Sequence, residues 1–286
     1  MSWLRRLLGP AVFHGRIKAN DWRRQTNAAL ENAAVRVAPR LYREADRLSA
    51  MPFRTEEMAR PEGDLIDDLA AYTALPVAVV EDLVCRRRPV DFRAEWHATP
   101  PALRGDHWFY LSSKTYLFGN AIHFVTDAEV DAVAELLPPG AAVLEFGAGS
   151  GNLSVGLARR GHQVVCDELS ALQRDFIRFR VARHGLGDRV RVLDPWQPPD
   201  VGSVDAITAF DVLEHVPDGR ALLEERLLPA LRAGGVLVED SPFDRNVANP
   251  MHHEDWGLEA HLRARGMTVD RTAGARTRVW RMPDAA

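Results

Sequence analysis

The sequence predicts an α/β protein, with a seven-stranded, mostly parallel, doubly wound sheet over residues 126–286 and a mainly helical region over 1–125. Three observations carry that expectation. From residue 126 onward, strand-like apolar runs alternate with amphipathic helices, as strand–helix–strand crossovers require. A glycine-rich segment, Gly147-Ala-Gly-Ser-Gly151, falls between the first such run and the next helix. The chain then closes on two short strands, Met267–Arg271 and Thr277–Arg281, joined through Ala-Gly-Ala as a hairpin.

Before residue 126 the pattern is helical and interrupted. Helices are expected over Asp21–Val37, Arg40–Ser49, Asp64–Thr73 and Val77–Arg87, with Pro39, Pro52, Pro61 and Pro76 separating or starting them. Leu65, Ile66, Leu69 and Tyr72, then Val79, Val80, Leu83 and Val84, give the last two the apolar faces of a helical hairpin. Residues 89–124 are rich in aromatics (Phe92, Trp96, Trp108, Phe109, Tyr110, Tyr116, Phe118, Phe124) and are expected to pack under the following domain. Tyr110, Lys114 and Tyr116 also stand close enough in the chain to close over a ligand held there. Near the start, Trp3, Leu4, Leu7 and Leu8 share a helical face beside Arg5 and Arg6, read as a docked terminal helix rather than a membrane-surface anchor.

In the second region Thr126 is the expected N-cap of a helix reaching Leu137, which Pro138-Pro139-Gly140 ends. Ala141–Phe146 is the first buried strand, Leu153–Arg160 a helix, Gln163–Cys166 the second strand. Helix Ala171–Arg183 follows, with Leu172, Phe176 and Phe179 on one face, and then strands Arg189–Leu193 and Ala206–Phe210. A leucine-rich helix over Gly219–Ala233 is expected to stop at Gly234-Gly235. Strand five is then Val236–Glu239, and Trp256–Ala264 the last helix.

Composition narrows the function classes. With 46% hydrophobic and 27% charged residues in 286, the chain can bury a sizeable core without staples. A net charge of −4 argues against a surface built wholly for nucleic acid, and no apolar run is long enough for a membrane span. The positive charge is nearly all arginine, since Lys18 and Lys114 are the only lysines, which reads as codon usage in a GC-rich genome. Cys85 and Cys166 are the only cysteines and form neither a disulfide framework nor a thiolate metal site, so a reducing cytoplasm is the expected location.

The chemistry begins at the glycine turn. Gly147, Gly149 and Gly151 stand at alternate positions, letting a strand end turn sharply into a helix while the backbone approaches a ligand. That spacing is not the Gly-x-Gly-x-x-Gly of dinucleotide sites, whose pyrophosphate wants a helix N-terminus. Glu145 in the strand would repel a pyrophosphate, yet it can help hold the ammonium group of an amino-acid ligand. A second acidic residue is expected about twenty positions on, at the end of strand two, to take ribose hydroxyls. Asp167 and Glu168 both qualify, with Glu168 preferred, and Asp194, ending strand three, is placed to accept from the adenine amino group or to serve only as a turn residue.

Residues 126–286 resemble the class I S-adenosylmethionine-dependent methyltransferases and are similar to the ubiquinone-biosynthesis O-methyltransferases. Four blocks carry the resemblance in order: Val143-Leu-Glu-Phe-Gly-Ala-Gly-Ser-Gly-Asn152, Val164-Val-Cys-Asp-Glu-Leu-Ser170, Ala209-Phe-Asp-Val-Leu-Glu-His-Val-Pro-Asp218 and Leu231-Arg-Ala-Gly-Gly-Val-Leu-Val238. It implies cofactor contacts at Gly147, Gly149, Gly151, Glu168 and Asp194, with Phe210 against the methionine part, and a small-molecule acceptor. Residues 1–125 lie outside it and are expected to form a lid that selects substrate and contributes to a homodimer.

Asp211, Glu214 and His215 stand at i, i+3 and i+4 after strand four, sharing one face if a helix starts there. His252 and His253 leave strand five on the same edge of the sheet. Two readings stay open. The segment is similar to the Glu-x-x-Glu-His of small-RNA 3′-end 2′-O-methyltransferases, which implies a divalent cation on Asp211, Glu214, His215 and His252 or His253. Alternatively Asp211-Val-Leu-Glu214 is a capping box, and His215, His252 and Asp211 are the candidate catalytic base and substrate anchors. The expected activity is O-methylation of a small molecule. The alternatives are RNA-end methylation and a non-catalytic, cofactor-binding subunit. Arg86-Arg87-Arg88 reads as a solvated helix end rather than an anion site.

Overall fold

The computed structural model describes residues 60–87, 94–100, 108–113, 115–194, 197–245, 251–273 and 276–284. The helices expected over Asp21–Val37 and Arg40–Ser49, the terminal helix around Trp3–Leu8, Lys114 and Arg88 lie outside the described residues. The helices are α1 (Leu65–Thr73), α2 (Val77–Asp82, running into a π-helical turn Leu83–Arg87), α3 (Trp108–Ser112), α4 (Tyr116–Gly119), α5 (Asp127–Ala134), α6 (Asn152–Arg159), α7 (Ala171–Arg183), α8 (Gly219–Leu222) and α9 (Leu258–Ala264). The strands are β1 (Ala142–Phe146), β2 (Gln163–Asp167), β3 (Val190–Val192), β4 (Val204–Phe210), β5 (Leu231–Asp240), β6 (Thr268–Ala273) and β7 (Thr277–Arg281).

They form one seven-stranded sheet in the order β3-β2-β1-β4-β5-β7-β6. β1 to β5 pair in parallel, and β7 enters antiparallel between β5 and β6. The strand order reverses direction between β1 and β4, which opens a crevice at the strands' C-terminal ends. Alternation along the strands divides the core between two faces. Val143, Ala206, Val236 and Val238 pack with α5, α6 and α7, while Leu144, Ile207 and Leu237 pack with the leucines of α8 and α9. A third cluster joins Leu65, Ile66 and Leu69 of α1 to Leu172 and Phe176 of α7, so the helices before the sheet share a core with it.

Local chemistry accounts for most boundaries. Thr126 and Glu129 close both halves of a capping box at the start of α5, and Ser170 accepts from the Gln173 N–H at the start of α7. The expected stop at Gly234-Gly235 is corrected. The leucine-rich helix relaxes into a π-helical turn at Leu223–Leu227 and ends at Ala230; β5 already begins at Leu231. β4 meets β5 first at Val204–Leu231 and next at Ala206–Val236, so the glycines lie in a bulge rather than at a helix end. Gly234 has φ +70°, and a Cβ on Gly235 would come within 2.9 Å of the Asp205 carbonyl oxygen, which is why that bulge needs glycine.

Candidate cofactor and acceptor site

At the end of β1 the chain turns through Gly147, Gly149 and Gly151, with φ +75°, +54° and +71°. A Cβ on any of them would collide: 2.5 Å from Val212 Cγ2, 2.9 Å from Asn120 Nδ2 and 2.8 Å from Ile177 Cγ1, respectively. The turn therefore needs glycine both for its left-handed backbone and for the closeness of its neighbours. Glu168, just past β2, faces it. The Gly149 N–H donates to Glu168 Oε2 at 2.8 Å and the Ser170 N–H to Oε1 at 2.7 Å, holding a buried carboxylate by two backbone bonds. Burial pushes its pKa up, and the two N–H bonds oppose that.

The other acidic candidates are engaged elsewhere. Asp167 Oδ2 accepts from Arg226 Nε and Nη2 at 2.8 and 2.5 Å, a buried ion pair under β2. Glu145 accepts from the Ser154 hydroxyl of α6, itself 2.8 Å from the Cys166 sulfur, and burial pushes the Glu145 carboxyl up to about 8. Asp194 stands exposed with Arg178 at 3.0 Å. Phe210, ending β4, is stacked edge-on against Phe124 with 4.9 Å between ring centres.

The segment after β4 departs from the expected helix. Asp211 has φ +46°, a conformation that costs a non-glycine residue energy and recurs at functional sites. Its N–H donates to Asp240 O at 2.9 Å, and only one 3₁₀ turn, Leu213–His215, follows. The N-cap is Val212 with no side-chain cap, so the expected Asp211–Glu214 capping box is not formed. The shared helical face is lost too: Asp211 Oδ2 lies 3.4 Å from His123 Nδ1.

Glu214, His215 and His252 do converge, with one ligating atom from each within 4.8 Å of the others. The Glu214 side chain is wholly buried, and neither carboxylate oxygen has a hydrogen-bond partner among the described residues. The His253 N–H donates to Glu214 O at 2.7 Å, pinning the segment after β5 beside the 3₁₀ turn, which brings His252 rather than His253 into the group. Both imidazoles are anchored through Nδ1. That of His252 meets Asp244 Oδ1 at 2.6 Å and Pro242 O at 2.9 Å; that of His215 meets the Tyr110 hydroxyl at 2.8 Å and Met251 O at 3.4 Å. The two rings stack edge to face at 4.7 Å, with His215 Nε2 3.9 Å from Glu214 Oε1. Burial pushes Glu214 up to about 8 and His215 down to about 3, so this pocket resists charge of either sign standing alone.

Chain position offers Tyr110 as a closing residue, and α3 brings its hydroxyl to His215. Nothing in the sequence singles out His123, Asp244 or Met251. They are scattered through loops, where no periodicity marks a common destination.

A family model described as a methyltransferase domain matches residues 120–272, just over half of the chain. The chain belongs to that family. Membership implies S-adenosylmethionine as cofactor, and the match spans the glycine turn, Glu168 and the β4 and β5 edges. Among curated relatives, the chain is 34% identical over 119 residues to the ubiquinone biosynthesis O-methyltransferase of Xanthomonas axonopodis pv. citri (strain 306), covering 41% of this chain and 49% of the relative. It is 36% identical over 110 residues to the tRNA 5-carboxymethoxyuridine methyltransferase of Escherichia coli (strain K12), covering 37% and 41%. The chain thus spans about half the length, or less, of the curated relatives it matches. A solved SAM-dependent methyltransferase from Aquifex aeolicus aligns with a TM-score of 0.44 at 18% identity, covering 66% of this chain and 97% of that one. No helix of the described residues is long and apolar enough to cross a membrane.

Proposed function

We propose that this chain transfers the methyl group of S-adenosylmethionine to an oxygen of a small molecule. The observation that carries the reading is the pairing of the glycine turn with Glu168. The Gly149 N–H, which a phosphate would need, is already taken by the Glu168 carboxylate, so the turn suits a ligand without a pyrophosphate. Each Glu168 oxygen accepts one backbone bond, leaving lone pairs for ribose hydroxyls. Gly147, Gly149 and Gly151 give the backbone its close approach, Phe210 would meet the methionine end and Asp194 the adenine end, and the region before residue 126 would select the acceptor. When bound, the cofactor supplies an electrophilic methyl group on sulfur. The chain has to align the acceptor, exclude water and see the acceptor oxygen deprotonated.

For that last task Glu214, His215 and His252 are proposed to hold a divalent cation. A buried carboxylate with neither oxygen hydrogen-bonded among the described residues, beside two imidazoles, is costly unless a cation fills it. Each histidine is anchored at Nδ1 by oxygen atoms, the arrangement that leaves Nε2 for a metal. One carboxylate and two imidazoles suit Mn²⁺, Fe²⁺ or Zn²⁺ better than Mg²⁺, and such an ion would supply Lewis acidity toward an acceptor hydroxyl. Asp211, the fourth ligand of the sequence reading, is drawn to His123 instead and would orient that histidine beside the acceptor.

The same group is what favours a second reading, metal-dependent methylation of an RNA end, and one curated relative is named for a tRNA nucleoside. The net charge of −4 weighs against it. Calorimetry with S-adenosylhomocysteine tests the cofactor reading. A one-to-one isotherm is expected, and no heat of binding beside a co-purified nicotinamide dinucleotide would overturn it. Labelled methyl transfer to a metabolite extract and to an RNA pool then separates the acceptors. Tight cofactor binding without transfer to either would leave a non-catalytic subunit as the answer.

A further inference from the structure

We propose that Asp68 of α1 is a positioning residue for the glycine turn, acting through Arg180 of α7; this rests on the cofactor reading above. α1 buries Leu65, Ile66 and Leu69 against α7, and Asp68 falls on that same apolar face, wholly buried. A carboxylate is tolerated there only when its charge is met. Asp68 Oδ2 accepts from Arg180 Nε at 2.9 Å and meets His184 Nε2 at 2.8 Å, while Arg183 Nε lies 3.1 Å from Oδ1.

The other edge of the Arg180 guanidinium reaches the cofactor turn. Its Nη1–H donates to Ser150 O at 2.9 Å and to Asn152 Oδ1 at 2.7 Å. Ser150 lies between Gly149 and Gly151, both left-handed, so the direction of its carbonyl is set by the conformation of the turn. A donor fixed on that oxygen holds the peptide plane that the two glycines leave free to rotate. Asn152, the first residue of α6, passes the contact on, its Nδ2–H donating to His123 O at 2.9 Å. Arginine suits the position because its planar fork places donors on two edges at fixed angles. Without Asp68 the fork would be a buried cation with no carboxylate bonded to it, and turning toward solvent would release Ser150.

Asp68 lies outside the 120–272 segment that the family model matches, so α1 contributes to a site that the domain does not complete alone. Coupling of this kind is reciprocal: if docked α1 favours the turn's bound shape, a bound cofactor must favour docked α1.

The test uses the full chain, with S-adenosylhomocysteine as the probe. In the unmodified protein, adding it should slow hydrogen exchange of the α1 amides, which form no part of the turn. Asp68→Asn should weaken its binding about tenfold. Pairing Asp68→Asn with Arg180→Met removes the unmet charge and should restore the melting temperature without restoring affinity. The inference is overturned by α1 exchange that ignores the ligand, by folded Asp68→Asn binding within about twofold of the unmodified chain, or by a double variant that regains both properties. Should Asp68→Asn fail to fold, the exchange result on the unmodified chain decides. A failure of the unmodified chain to bind would overturn the cofactor reading and this inference with it, whereas equal binding by both chains removes this inference alone.

Discussion

Two buried glutamates, Glu168 just past β2 and Glu214 after β4, sit at the C-terminal ends of parallel strands in one sheet and are treated in opposite ways. Glu168 has a backbone N–H on each oxygen, and the turn it faces is packed so closely that a single methyl group would not fit. Glu214 is as deeply buried and neither oxygen has a hydrogen-bond partner among the described residues. An unmet polar group of this kind costs on the order of 1–3 kcal/mol or more. The proposed cofactor edge is thus finished before anything binds. The proposed acceptor edge is unfinished, with a left-handed backbone at Asp211 and two histidines anchored through Nδ1.

The largest effect should come from disturbing the finished edge. Gly151→Ala puts a methyl group 2.8 Å from Ile177 Cγ1 and forces alanine to φ +71°. Left-handed strain and overpacking together predict a loss of about 2–4 kcal/mol of stability, with S-adenosylhomocysteine binding abolished. Thermal unfolding and calorimetry check both, and a variant that binds as the unmodified chain does would show the turn to be less constrained than its packing implies.

Glu214→Gln probes the unfinished edge and should produce the opposite pattern. Its carboxylate makes no hydrogen bond to the turn, so S-adenosylhomocysteine affinity should stay unchanged while metal content, read by mass spectrometry after loading with Mn²⁺ or Zn²⁺, falls from one ion per chain toward none. Methyl transfer should drop by at least about a hundredfold, since loss of a ligand exceeds the loss of an outer-shell partner. A Glu214→Gln protein that keeps its metal would remove Glu214 from the ligand set. An unmodified protein that transfers methyl groups at full rate after chelation would remove the metal altogether.

The same contrast explains what the sequence made legible. The cofactor edge comes from contiguous segments in which local rules and the global fold agree. Three glycines at alternate positions need left-handed backbone, strand periodicity delivers Glu168 to the turn, and Ser170 caps the following helix. At the acceptor edge the i, i+3, i+4 spacing of Asp211, Glu214 and His215 pointed to a helix face, and the left-handed φ of Asp211 defeated it. His215 and Glu214 still meet His252, because the bond from the His253 N–H to Glu214 O ties two segments far apart in the chain. Spacing within either segment cannot express that tie. Gly234-Gly235 misled for a related reason, since a bulge and a helix stop ask for the same residue. Asp68 was readable in principle: it is a charge at i+3 from Leu65 on an otherwise apolar helix face.

Tyr110 offers the smallest and most discriminating change, because it lies outside the family match yet touches the acceptor edge. A cation on His215 Nε2 requires the imidazole proton on Nδ1, where the Tyr110 hydroxyl oxygen and Met251 O then stand as acceptors. In the other tautomer the Tyr110 hydroxyl donates to Nδ1 and His215 aims Nε2–H toward Glu214. Tyr110→Phe keeps the ring stacking on Phe109 and Tyr116 and removes only the hydroxyl. If the metal reading holds, the variant loses an outer-shell partner, and affinity for Mn²⁺ or Zn²⁺ should fall about tenfold with cofactor binding unmoved. If His215 instead works without a metal, the tautomer that presents a bare Nε2 loses its nearest acceptor. The variant would then change the rate of transfer while any ion added to the protein binds as weakly as before. Metal titration of these two proteins, followed by the transfer rate of each, therefore separates an edge completed by an ion from one completed by the acceptor itself.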